Sequence, residues 1–148
     1  MPVRRFLIVD DDSDDNGLFT EALAAVEPRI ICDSAFDGRE ALEKLETKAI
    51  QPPDIIFLDI NMPVMNGWQC LTQLKSESGY KDIPVIIYST SSSRVDKELA
   101  RKLGAICFFT KLHDFRKLIK MLEIVVEKIN SNAVDAICNT VYDYLNLN

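Results

Sequence analysis

The chain has 148 residues, 47% of them hydrophobic and 27% charged, which suits one globular domain with its own buried core rather than a disordered segment. Its net charge is −6 and no run of Lys and Arg offsets it, so nucleic acid and anionic membranes, which select a basic footprint, are poor candidates for the main partner. Four cysteines, Cys32, Cys70, Cys107 and Cys138, stand far apart beside a single histidine, His113, so no soft-metal ligand set and no Cys-His or Ser-His-Asp triad assembles easily.

Without a CxxC pair, the cysteines are expected to be small buried hydrophobes in a reducing compartment rather than disulfides. The start, MPVRRFLIV, is basic, but its apolar run of about four residues is too short for a secretory signal, and no later stretch approaches a membrane span. A cytoplasmic protein is expected.

In chain order, short apolar runs alternate with segments of helical period. The runs are Phe6–Val9, Ile30–Cys32, Ile55–Leu58, Val85–Tyr88 and Ile106–Phe109, several rich in Ile and Val as strands covered on both faces should be. After the first run, Leu18, Ala22, Leu23 and Val26 share a helix face behind an acidic first turn, where Asp12, Asp14 and Asp15 suit a helix start. Ala41, Leu42 and Leu45 mark a second helix and Trp68, Leu71 and Leu74 a third. Val95, Leu99 and Leu103 mark a fourth, and Phe115, Leu118, Ile119, Leu122, Val126 and Ile129 a fifth. Five strands alternating with five helices predict a doubly wound α/β domain with a parallel sheet. Residues 131–148 form an extension in which Val134, Ile137, Val141 and Leu145 keep helical spacing behind an Asn-Ser-Asn break. This sixth helix either packs on its own domain or contacts a partner or a second copy of the chain.

Ligands of open parallel sheets bind beyond the carboxyl ends of the strands. Asp10 and Asp11 follow the first run, Asp59 the third, Ser89 the fourth and Lys111 the fifth. The second, read as an edge strand ending at Asp33-Ser34, is left out. Three carboxylates, a hydroxyl and an ammonium would then meet at one edge. Carboxylates about 5 Å apart repel by roughly 3 kcal/mol per pair at an effective dielectric near 20, so the set needs a counter-charge. A hard divalent cation taking oxygen ligands, Mg²⁺ above all, fits better than zinc. A carboxylate beside such an ion, a hydroxyl and a lysine is also a phosphoryl-transfer arrangement.

The local spellings FLIVDDDSDD, IIFLDINMPVMNGWQCL, IPVIIYSTSSS and GAICFFTKL, in that order over residues 3–130, resemble the receiver domain of bacterial two-component response regulators. The resemblance implies the flavodoxin-like strand order 2-1-3-4-5 and a stand-alone phosphoreceiver that takes a phosphoryl group from a histidine kinase or phosphotransfer protein. Its output would be a protein contact through the face made by the fourth helix, fifth strand and fifth helix. It implies Asp59 as phosphoacceptor and a Mg²⁺ site of Asp10, Asp11, Asp59 and the Asn61 backbone carbonyl. Ser89 would be the switch hydroxyl, with Thr90 one residue away as the alternative. Lys111 would face the phosphate and Phe108 would be the switch aromatic. Apart from catalysing its own phosphorylation and dephosphorylation, such a protein is not an enzyme.

Two departures stand out. Leu112 follows the lysine where the family usually has a proline joined in cis, so the expectation is either a trans bond with an altered turn or a strained cis bond retained for function. Phe108 replaces the common tyrosine and brings no hydroxyl. Two other readings stay open: a degenerate receiver acting only as a binding module, and a Mg²⁺-dependent phosphatase of the haloacid dehalogenase type with Asp10 as nucleophile. Trp68, Gly67 and the TSSS segment are read as packing, turn and helix-capping residues, and His113 as exposed.

Overall fold

The computed structural model describes residues 4–145. The strands are β1 (Arg5–Val9), β2 (Ile31–Ala35), β3 (Ile55–Leu58), β4 (Val85–Ser89) and β5 (Cys107–Thr110). The helices are α1 (Ser13–Val26), α2 (Gly38–Glu46), α3 (Gly67–Ser76), α4 (Arg94–Lys102), α5 (Phe115–Asn130) and α6 (Ile137–Leu145), the last preceded by a 3₁₀ turn over Val134–Ala136. All strands pair in parallel in the order β2-β1-β3-β4-β5.

The two-residue pleat period divides the core in two. Phe6, Ile8, Phe57, Tyr88 and Phe109 point toward Phe19 of α1 and Leu118 and Leu122 of α5. Leu7, Val9, Leu58, Ile87 and Phe108 point the other way, toward Leu42 of α2, Leu71 of α3 and Ala100 of α4. Because both faces are covered, the inner strands read as continuous apolar runs. Phe19 meets Phe57 edge to face at 4.8 Å between ring centroids, which locks α1 onto the strand carrying Asp59.

The chain departs from the sequence reading at three places. β2 runs one residue past the expected Asp33-Ser34 end: its register with β1 carries it to Ala35, and as an edge strand it leaves Ser34 exposed. Asp33 lies 3.7 Å from Arg5. On α4 the buried residue is Ala100, while Val95 is 73% exposed, since the small alanine is what lets the helix approach the sheet. Cys107 and Cys138 form a disulfide with Cα atoms 5.4 Å apart, against the expectation of four free thiols, and Cys32 and Cys70 are free. Their separation of 31 residues carries no motif, and only the docking of α6 beside β5 brings them together.

α6 packs on the domain through Ile137 and Val141, both with no exposed surface in the core shared by β5 and α5. The Asn-Ser-Asn break holds Asn132 at φ +55°, a conformation that asparagine tolerates, and this ends α5. Ile137→Ala is expected to lower the stability of the whole domain by about 3 kcal/mol in a single thermal transition. An unchanged midpoint would show that α6 is not docked.

Candidate functional site

The site lies where β1, β3, β4 and β5 end. Asp10 follows β1 directly and is 1% exposed. Its amide donates to the Ala35 carbonyl, its Oδ1 accepts from the Asp12 amide at 2.9 Å, and its carbonyl accepts from Asn16 Nδ2 at 2.9 Å. Asp12 caps α1 by accepting from the Asp14 and Asp15 amides, which leaves Asp11 exposed on the rim. Asp59 follows β3, with its amide on the Val9 carbonyl and its Oδ1 accepting from the Ile60 amide at 2.9 Å. Carboxylate oxygens of Asp10, Asp11 and Asp59 lie within 4.8 Å of one another.

The loop from Asp59 to α3 is drawn tight. Gly67 sits so close behind the acceptor strand that a Cβ there would lie 2.1 Å from the Asp59 carbonyl oxygen, so no side chain fits. Val64, at φ +64°, forms a three-residue turn in which the Met65 amide donates to the Pro63 carbonyl, a strained geometry for a β-branched residue. Asn61 stands exposed at the start of this loop. Asn66 and Gln69 cap α3 reciprocally.

Lys111 follows β5 and its ammonium is buried among acids. Nζ lies 2.6 Å from Asp10 Oδ2, 2.7 Å from Asp15 Oδ2 and 3.8 Å from Asp59 Oδ2. Burial works against this charge, but contacts with Asp10 and Asp15 and the field of Asp59 outweigh it and raise the lysine pKa. Burial raises the Asp10 pKa despite the lysine beside it. Burial, then the charge of Asp10, pushes Asp59 up to about 6 against the attraction of Lys111. Ser89 ends β4 with no exposed surface, and its hydroxyl accepts from the Ser91 amide at 3.3 Å; Thr90 is exposed. Ser93 caps α4. Phe108 is 4% exposed and turned into the α4-side core.

Of the two geometries left open by the sequence, the Lys111–Leu112 bond takes the trans one, since among the described residues no peptide bond is cis. Leu112 has the N–H that a proline would lack, and it donates to the Tyr88 hydroxyl at 3.0 Å, while the Lys111 amide donates to the Ser89 carbonyl at 2.7 Å. These bonds aim Lys111 without a cis proline. The sequence reading missed Tyr88, and it missed Asp15, treated there only as part of the helix start. One signal was available for Asp15: it stands one helical turn before the buried Phe19, at the head of the core-facing stripe. His113 is exposed, with Nε2 3.6 Å from Asp15 Oδ1.

The carboxylates offer only oxygen ligands. The buried Asp10 Oδ2 has no hydrogen-bond partner among the described residues, its compensation being the ammonium contact. Such a donor set fits a hard divalent cation. The family model of the response regulator receiver domain matches residues 6–123. The chain belongs to the response regulator receiver family.

The receiver is 32% identical to protein PilH of Pseudomonas aeruginosa over 123 residues, covering 82% of this chain and 97% of PilH. It is 37% identical to a protein-glutamate methylesterase/protein-glutamine glutaminase of Methanosarcina mazei over 133 residues. That alignment covers 86% of this chain and 36% of the methylesterase, so the chain spans about a third of the length of that relative. The phosphorylated cyanobacterial phytochrome response regulator RcpA superposes with a TM-score of 0.81 at 29% identity, covering 89% of this chain and 97% of that one. The Mn(2+)-bound form of response regulator Rcp1 superposes at 0.72 with 28% identity, covering 82% and 91%. Among the described residues of the receiver no helix is long and apolar enough to cross a membrane.

The raised Asp59 pKa predicts a pH signature for the receiver. The unfolded carboxyl loses its proton near 3.8 and the native one near 6, so the native state binds more protons between these values and stability falls as pH rises through them. The loss is on the order of 3 kcal/mol. Without divalent ions, Asp59→Asn is therefore expected to melt higher than wild type at pH 7.5, with a difference that shrinks as pH falls from 6 to 4. Thermal unfolding across that range checks it, and a pH-independent difference would contradict it.

Proposed function

We propose that the receiver takes a phosphoryl group on Asp59 from a phosphohistidine of a histidine kinase or phosphotransfer protein, in a Mg²⁺-dependent reaction. The observation that carries this reading is the meeting of Asp10, Asp11 and Asp59 at the carboxyl ends of parallel strands, with the Lys111 ammonium 3.8 Å from Asp59. Asp59 Oδ2, the oxygen free of the Ile60 amide, attacks phosphorus. The phosphorus–nitrogen bond breaks as the aspartyl phosphate forms, and the imidazole leaves with its electron pair and takes a proton. Asp10, Asp11, Asp59 and the Asn61 carbonyl would hold Mg²⁺, which when bound neutralises charge on the transferring group. Lys111 turns from Asp15 toward the phosphoryl oxygens, and the Ser89 hydroxyl moves to donate to one of them. Phe108, already buried, adjusts beside α4 and carries the change to the α4–β5–α5 face.

In this reading residues 1–130 are the receiver domain and 131–148 a helical extension of the same domain. The protein catalyses only its own phosphorylation and dephosphorylation, works in the cytoplasm and signals by protein contact, including contact with a second copy. Leu112 is the argument for a binding-only receiver. The trans bond nevertheless leaves Lys111 in reach of Asp59, which favours the phosphoreceiver.

Acetyl phosphate with Mg²⁺ is expected to give wild type a phosphoryl adduct by intact mass. The adduct disappears in Asp59→Asn, forms at least tenfold more slowly in Asp10→Asn, and is lost when the metal is chelated. Phosphate release that survives Asp59→Asn would support the phosphatase reading, and no adduct in wild type would leave the binding module.

A further inference from the structure

β5 is an edge strand, and α6 lies along it on the α5 side. Three contacts tie the two together. Cys138 is bonded to Cys107 of β5, the Tyr142 hydroxyl donates to the Phe108 carbonyl, and the Tyr142 ring meets Phe109 at 5.5 Å. The tie therefore reaches both sides of the position read as the switch aromatic. Between α4 and α6 a groove of about 140 Å³ remains, lined in part by Lys97, Ala100, Arg101, Phe108, Cys138 and Tyr142.

We propose that Cys107–Cys138 is a thiol–disulfide exchange site, taking a protein dithiol as reductant, whose oxidised form straps α6 over the β5 edge and whose reduced form lets α6 open. Both cysteines line the groove, but Cys107 is 5% exposed and Cys138 only half-buried, so the incoming thiolate meets Cys138 first. The reductant thiolate attacks Cys138 Sγ, the bond to Cys107 breaks, and Cys107 leaves as a thiolate. The second reductant thiol, once deprotonated, attacks the mixed disulfide and releases Cys138. Two electrons pass from the dithiol, which becomes a disulfide, and its two protons end on Cys107 and Cys138. Lys97 and Arg101 supply positive charge at the groove, which favours the thiolates that the exchange requires.

The remaining cysteines do not compete. Burial pushes the Cys32 thiol up to about 11 and the Cys70 thiol to about 12, so both stay protonated at neutral pH. Reduction does not expel α6, because Ile137 and Val141 stay in the core. It removes the covalent tie, so local opening of residues 134–145 becomes more frequent and the β5–α5 half of the face is exposed more often. A partner that needs that half then binds in proportion to the open fraction. This inference rests on the proposed function only in taking the α4–β5–α5 face as the place where the signal leaves.

Hydrogen exchange of the full chain, with and without dithiothreitol as the dithiol, tests the strap, and intact mass after alkylation counts the thiols. The oxidised protein should alkylate under denaturing conditions at Cys32 and Cys70 alone. Reduction should speed exchange in 134–145 at least tenfold and leave α1, β1 and β3 unchanged, and Cys138→Ser should match the reduced form with or without dithiothreitol. If Cys138→Ser does not fold, the wild-type pair of measurements decides. Equal exchange in both redox forms, or no disulfide after treatment with oxidised glutathione, would overturn the proposal. Acetyl phosphate labelling of the same two samples separates the claims. Redox-dependent exchange without an adduct at Asp59 would sink the phosphoreceiver reading and leave the strap, and an adduct with redox-independent exchange would do the reverse.

Discussion

The Lys111 ammonium, shared by the carboxylates of Asp10, Asp15 and Asp59, is the interaction on which the arrangement of this site depends. Three acids brought this close would repel by several kcal/mol if each kept its charge unaided. Burial raises both Asp10 and Asp59, the neighbouring acids add to it, and one lysine does not offset the sum. The site is therefore poised: it is tolerable with the ammonium alone, and it has room in its electrostatics for a divalent cation and then an anionic group.

The sheet makes this crowding unavoidable. Parallel strands all present their carboxyl ends to one edge, so residues distant in the chain become neighbours there. The order β2-β1-β3-β4-β5 puts Asp10 beside Asp59 and carries Ser89 and Lys111 to the same side. The aromatic contacts of Phe57 with Phe19 and Tyr88 join the strand below Asp59 to α1 and β4. Tyr88 then does a second task, since its hydroxyl takes the Leu112 amide and so shapes the turn that aims Lys111. A hydroxyl partner for one amide thus fixes this turn with a trans bond before Leu112.

Much of this was legible in the sequence, because an apolar run and the polar residue just past its end are both local properties of the chain. Asp59, Ser89 and Lys111 are found by reading one residue or two past a strand, and the motif spelling then ties them to the receiver family. Asp15 was harder. Its place in an acidic helix start satisfies every local rule, and its contact with Lys111 spans 96 residues. The end of β2 was missed by one residue, because Ala35 follows two polar residues and only its pairing with Val9 extends the strand. The Cys107–Cys138 pair was missed for a different reason. Widely spaced cysteines outside any motif carry no pairing information, and only the way α6 docks beside β5 determines it.

The central claim is that Lys111 neutralises these carboxylates and would compete for them with a divalent cation bound there. Calorimetric titration with Mg²⁺ at pH 7.5 tests this most directly on wild type, Lys111→Met and Asp10→Asn. The account predicts tighter binding in Lys111→Met, by about threefold or more, because a competing positive charge is removed, and binding at least tenfold weaker in Asp10→Asn. Binding no tighter in Lys111→Met, together with unchanged affinity in Asp10→Asn, would contradict it.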